Sequence, residues 1–387
     1  MIISSRRVIK MNLDAIFNLH KVKFVKLDTL FRNVEVQGAI DSVNVFINIE
    51  SIFAMFHNKY MEDRLLIMSH DETHDIFTNI IANVINLAAH YRLYFTKNKI
   101  RTNIVFYMNE HDRYSKLNNT IYNKKYREKY ISDYTDNPHY ETVNSIMKSA
   151  LTGLDTIIDY IDSVYFVTSE RIESSLLPYL IVKDKMLDGQ FNLMVTKDPY
   201  DLQYVNKNFL VIYPSQDKSK ILTKTNLWDL LRDEGDISSD VNLPSYLYSF
   251  MLSTIGDKRR GIGKIKGVGW NSIYKNIIKL FKKFDIDMED EIISFEQLAI
   301  AIKEDPAHPN NNRETVVNNY MSIDIDRQYM MLAPSQKSSI AQQLVDRFDD
   351  EALKEINNKM FDTTPINLME LNNYQKGRKT NPFGKMR

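Results

Sequence analysis

The chain has 387 residues, of which 43% are hydrophobic and 11% aromatic, enough to bury the core of one large domain or two smaller ones. Fifty basic residues cancel fifty acidic ones, so whole-chain charge neither favours nor excludes a nucleic-acid partner. Cysteine is absent, which excludes disulfides and thiolate metal sites, and no apolar run approaches bilayer length, which predicts a soluble, cytoplasmic chain with no membrane partner.

The opening MIISSRRVIKMNLDAIF lacks a continuous apolar segment, and residues 1–42 are set apart as an N-terminal extension. VNVFINI (43–49) is a β-branched apolar run with the signature of a strand buried on both faces. A helical pattern follows in 76–95, beyond HDETH at 70–74, where His70 and His74 stand four apart without a third metal ligand. NIVFYM (103–108) and SVYFVTS (163–169) read as strands, SSLLPYLIVKDKM (174–186) as a helix, and FNLMVT (191–196) and NFLVIYP (208–214) as two further strands. Strands alternating with helices predict an α/β domain over 43–215 with a central, mostly parallel sheet, whose carboxyl ends are the place to look for chemistry.

Residues 109–150 interrupt this alternation with a segment dense in Tyr, Asn, Lys and Arg, too polar for core and too long for an ordinary connection. After residue 215 helical patterns take over. A helical region is predicted over 216–335, followed by a C-terminal helix and basic tail over 336–387. The last 17 residues hold five basic residues and no acid. No Walker loop, nucleophile elbow or kinase signature is present.

Charge is concentrated in 256–283, where nine basic residues face one acid. Within it, GDKRRGIGKIKGVGW places glycines at 256, 261, 263, 267 and 269 directly before an amphipathic helix. Glycines there let backbone amides approach an anion, and the lysines supply sequence-independent phosphate contacts. The expected contacts are Lys258, Arg259, Arg260, Lys264, Lys266, Gly267, Gly269 and Lys275.

Gly256-Asp257, Ile262, Ile265, Gly267, Val268, Gly269 and Ser272 resemble the helix-three-turn-helix motif of the flap endonuclease superfamily, specifically the bacteriophage and bacterial 5'-3' exonucleases. Other segments follow in the family's order over residues 43–335. VNVFINIES resembles the first strand with Asn48 where active members carry an aspartate, and NIVFYMN resembles the second with Tyr107 or Met108 at its acid. YNKKYR resembles the helical arch that admits a single-stranded 5' end, which implies DNA contacts at Lys124, Lys125 and Arg127. RIESSLLPYL carries Ser174 and Ser175 at two aspartate positions, while VTKDPYDLQYV keeps Asp198 and Gln203 but has Tyr200 at its second aspartate. The resemblance implies a PIN-like domain with an arch insertion at 109–150, DNA as partner and a potassium ion at the hairpin.

Hydrolysis by this family requires divalent ions bridged by carboxylates. Only Asp198 and Asp257 stand in register, with Glu50, Glu173 and Asp201 one or two places out, and Arg260 sits at another acid position. Three readings remain open. The first is a DNA-binding protein of the nuclease fold that no longer cuts, acting on ends, flaps or junctions. The second is an active 5'-nuclease whose magnesium is held by the rearranged Asp198, Asp257, Glu173, Glu50 and Asp201. The third is a structural component of a viral assembly. Richness in Asn, Lys, Ile and Tyr points to an AT-rich, viral genome, with replication or virion proteins as further partners in the host cytoplasm.

Overall fold

The computed structural model describes residues 40–49, 70–109, 140–169, 172–196, 198–213, 220–257, 262–285, 295–302, 311–345 and 349–360. The chain order begins β1 (Ser42–Asn48), α1 (His70–Lys97), β2 (Arg101–Asn109), α2 (Tyr140–Ile158) and β3 (Val164–Ser169). The 3-10 turn η1 (Ser174–Leu176) then leads into α3 (Leu177–Lys183), β4 (Phe191–Val195), the 3-10 helix η2 (Pro199–Asn206), β5 (Phe209–Tyr213) and β6 (Lys220–Leu222).

The six strands form one sheet in the order β3-β2-β1-β4-β5-β6. Every pairing is parallel except β5 with β6. Strand β1 is buried along its whole length, as its run of Val43, Val45, Phe46 and Ile47 predicts, and its polar residues Ser42, Asn44 and Asn48 are buried with them. One sheet face packs on α1 and α2 through residues such as Val45, Ile85, Phe95 and Leu154. The other carries Phe46, Val105, Met194 and Val211 into a core shared with the helices that follow the sheet. The mostly parallel sheet between flanking helices is the expected α/β arrangement.

Three expectations need correction. The helix predicted over 174–186 is split into η1 and α3, and Pro178, which lacks an N–H, sits in the first turn of α3. The polar excursion predicted over 109–150 is shorter, because 140–150 belong to α2, where Ala150 and Leu151 are buried. The alternation does not end at 215, since Lys220–Leu222 adds an antiparallel edge strand.

The remaining helices are α4 (Leu227–Asp233), α5 (Leu247–Ile255), α6 (Trp270–Phe284), α7 (Phe295–Ala299), α8 (Asn311–Ile323), α9 (Ile325–Met330), α10 (Pro334–Gln343) and α11 (Asp350–Met360). They do not form a detached lobe. Ile323, Ile325 and Ile340 share a core with Tyr200 and Leu180, and Leu353 of α11 is buried with the residues of the opposite sheet face. Among the described residues no helix is long and apolar enough to cross a membrane.

Candidate nucleic-acid interface and strand-end acid cluster

The sheet order reverses direction at β1, with β2 on one side and β4 on the other, and the carboxyl ends there form the crevice where such folds place ligands. Asn48 ends β1, Tyr107 lies near the end of β2, and Thr196 follows β4. All three donate to one atom. Asn48 Nδ2 reaches Asp201 Oδ2 at 3.1 Å, the Tyr107 hydroxyl at 3.2 Å and Thr196 Oγ1 at 2.7 Å. Thr196 in turn accepts the Asp198 N–H at 3.0 Å, which commits its single proton to Asp201. Burial, and after it the charge of Asp201, holds the Tyr107 phenol well above its ordinary pKa, so it remains a donor.

Asp201 enters this cluster because η2 is a 3-10 helix. With about three residues per turn, positions 198 and 201 eclipse each other while 200 turns away. The Asp201 N–H bonds the Asp198 carbonyl at 3.0 Å, and Asp198 Oδ1 caps the helix by accepting the Tyr200 N–H at 3.0 Å. Tyr200 instead donates to the Ile323 carbonyl at 2.5 Å. An acid one place out of register thus reaches the strand ends, and the residue in register does not.

The buried Gln203 amide has all its bonds filled. Nε2 donates to the carbonyls of Tyr200 (3.0 Å) and Ile323 (3.2 Å), and Oε1 accepts from Ser249 Oγ (3.2 Å) and the Ile325 N–H (3.3 Å). It ties η2 to α5 and to the α8–α9 junction. Ser174 and Ser175 are buried in η1, and half-buried Glu173 precedes them. Glu50 lies outside the described residues, as do Lys124, Lys125, Arg127, Lys258, Arg259 and Arg260.

Among the described residues no three His, Cys, Asp or Glu side chains gather as metal ligands. Among the described residues Asp198 and Asp201 are the carboxylates beside the ends of β1 and β4, and the oxygen Oδ2 of Asp201 is already held by three neutral donors. A two-ion centre needs several charged oxygen ligands, and this described donor set does not fit one. Burial first, then the charges of Asp198, Glu234 and Asp257 among its neighbours, raise the pKa of Tyr248.

The connection between α5 and α6 is built on a three-residue rhythm. Ile262, Ile265 and Val268 are buried, whereas Lys264, Lys266 and Gly267 between them are exposed. Asp257 and Ile262 form a two-residue antiparallel bridge, with N–H to carbonyl distances of 3.0 and 2.8 Å. The Ile265 N–H returns to the Thr254 carbonyl at 3.1 Å. Helix α6 is capped by Ser272, whose Oγ accepts the Gly269 N–H at 2.9 Å and donates to the Gly269 carbonyl at 2.8 Å. Trp270 stacks on Tyr248, centroids 5.6 Å apart, and so braces the base of the loop.

Sequence reasoning missed two residues here. Asn319 of α8 donates to the carbonyls of Ser253 (2.8 Å) and Gly263 (2.7 Å), clamping the end of α5 to the loop. Thr196 orders the acid cluster. Neither sits in a recognisable motif, and both act across contacts that the chain creates only on folding.

No family model matches the chain, and no curated protein does either. Among solved structures it is similar to the bacteriophage T5 flap endonuclease in complex with DNA and metal ions, with 10% identity over 83% of this chain and 98% of that one and a TM-score of 0.45. It is also similar to the T5 5'-exonuclease with bound zinc, at 8% identity, 83% and 98% coverage and a TM-score of 0.45. The catalytic core of Rad2 with a DNA substrate gives 12% identity, 88% and 95% coverage and a TM-score of 0.37. At such values the likeness is one of element arrangement, and no residue role passes from those proteins to this chain.

Proposed function

We propose that this chain is a DNA-binding protein on a 5'-nuclease type of fold, which grips duplex DNA with the α5–α6 connection and acts at ends, flaps or junctions without cutting. The observation that carries this reading is the loop's alternation: buried Ile262, Ile265 and Val268 fix its shape, while Lys264, Lys266 and Gly267, with its φ of 77°, are exposed ahead of the N-terminus of α6. Lys275 lies one turn further along the helix on an exposed position. Potassium bound by loop carbonyls, a single 5' strand against Lys124, Lys125 and Arg127, and a role beside viral replication or virion proteins in a host cytoplasm belong to the same reading. So do Lys258, Arg259 and Arg260 as phosphate contacts.

The strand-end cluster then serves the fold: Asp201 gathers β1, β2 and the turn after β4 through three donors. The test is a salt-titrated gel shift on duplex, flap and single-stranded DNA. Lys264→Glu with Lys266→Glu is expected to weaken duplex binding tenfold or more and to flatten the salt dependence by about two phosphates' worth of slope. Unchanged binding overturns the reading.

A second reading, an active magnesium-dependent 5'-nuclease, is favoured by one observation: the 3-10 turn puts Asp198 and Asp201 on one side of η2. Glu50 and Glu173 would have to complete the ligand set. Flap cleavage in magnesium or manganese that vanishes in Asp198→Ala with Asp257→Ala would establish it over the first reading.

A further inference from the structure

Helix α6 continues well past the loop, and its outer face has an unusual composition. Ile273, Tyr274, Ile277, Ile278, Leu280 and Phe281 are buried, while Lys275, Lys279, Lys282 and Lys283 are exposed. Residues 275, 279 and 282 follow one another at spacings of four and three, which puts them in one stripe roughly 10 Å long. No acidic residue occurs anywhere in WNSIYKNIIKLFKKF. A face that is merely solubilising interleaves both signs.

At its far end stands Phe284, 52% exposed, the one aromatic among the described exposed large hydrophobic residues. Lys283 Nζ lies 5.2 Å from the centre of its ring. A cation for a phosphate therefore sits over one side of the ring, and the half-exposed remainder of the ring offers a flat surface for a base. Bases within a duplex are stacked on each other and cannot use such a surface, whereas an unpaired base can.

We propose that α6 is a track for a single-stranded extension leaving the duplex: beyond Lys275, which stays with the duplex grip, Lys279, Lys282 and Lys283 follow its phosphates, and Phe284 stacks an unpaired base at the end. This rests on the duplex reading above, since the loop at the head of α6 sets where the strand starts.

The test uses the full chain with a blunt duplex and the same duplex carrying a single-stranded tail. Lys279→Glu, Lys282→Glu and Lys283→Glu together are expected to weaken tailed binding tenfold or more and to lower its salt slope by about two, leaving blunt binding unchanged. Phe284→Ala is expected to cost about fivefold or more on the tailed duplex alone, and Phe284→Tyr to restore it. Melting temperatures matching the parent exclude misfolding, and the milder Lys→Gln set at the same positions is the substitute if they do not match. Equal losses on both DNAs, or none on either, overturn the proposal. If the Lys264→Glu, Lys266→Glu pair abolishes blunt binding while the α6 variants leave tailed binding intact, the track falls and the duplex reading stands. If blunt binding survives that pair but the α6 variants still abolish the tail's contribution, the duplex reading falls and the track stands.

Discussion

Asp201 shows how much depends on which side chains meet a carboxylate. A buried acid is costly unless several donors satisfy it, and here Asn48, Tyr107 and Thr196 all do so. Asn48→Asp replaces the donor amide with a second acid about 3.1 Å away, a distance at which two buried carboxylates cannot both ionise freely. The variant is expected to lose about 3 kcal/mol of stability near neutral pH in chelator, measured by denaturant unfolding. Millimolar magnesium or manganese is expected to return part of that loss, because a cation bound only by the folded state stabilises it. A melt insensitive to both the substitution and the metal would show that Asn48 is not a donor in this cluster.

At the scale of elements, strand register and loop shape depend on residues whose purpose the sequence conceals. Asn103, Asn44 and Asn192 occupy paired positions on β2, β1 and β4. Asn103 Nδ2 donates to Asn44 Oδ1 at 2.9 Å, and Asn44 Nδ2 donates to Asn192 Oδ1 at 3.1 Å. A one-residue slip would leave buried amides unpaired, so this ladder fixes the register of three central strands. Gly189 lies so close that a Cβ there would fall 2.1 Å from the Asn44 amide nitrogen.

The α5–α6 loop depends similarly on Gly256, which has φ of 74° and would place a Cβ 2.6 Å from the Ile262 carbonyl oxygen. Gly256→Ala therefore meets both a disfavoured backbone and a clash with backbone that cannot swing aside. A loss of about 1–3 kcal/mol is expected, together with weakened duplex binding. Thermal melts and the same gel shift would measure the two, and a stable variant with full DNA affinity would show that the turn is not needed in this form.

For the whole molecule, the decisive feature is how the C-terminal helices close back onto the α/β layer. Tyr179 and Lys207 both donate to Asp326 on α9, and the Tyr329 hydroxyl donates to Asp184. Lys337 Nζ lies 3.4 Å from Asp184 and 3.8 Å from the centre of the Tyr329 ring. On the sheet's edge, Gln343 of α10 accepts the Thr168 N–H and donates to its carbonyl, both at 3.0 Å, so a side chain pairs with β3 where a further strand could otherwise add.

Burial works to raise the Asp326 pKa, but hydrogen bonds from Lys207 and Tyr179 outweigh it and leave the carboxyl below its ordinary value of 3.8. A depressed folded pKa means that the stabilisation is present above about pH 4 and is lost as pH falls through the lower folded value. Asp326→Asn is expected to cost about 0.5–1 kcal/mol near neutral pH, allowing for solvent screening. The gap from the parent should narrow toward about pH 3. A gap that stays constant with pH would assign the loss to packing and not to charge.

The sequence by itself determined the parallel strands and the buried helix faces, because their apolar periodicity is local. It also determined the basic glycine loop, whose hydrophobic anchors recur every third residue. Tertiary structure alone decided that Asp201, not Tyr200, reaches the strand ends, since that follows from the pitch of η2. Likewise it decided the roles of Asn48, Thr196, Asn319 and Gln343. Each of these is an ordinary polar residue whose meaning lies in a partner that folding brings near, and no spacing along the chain encodes that meeting.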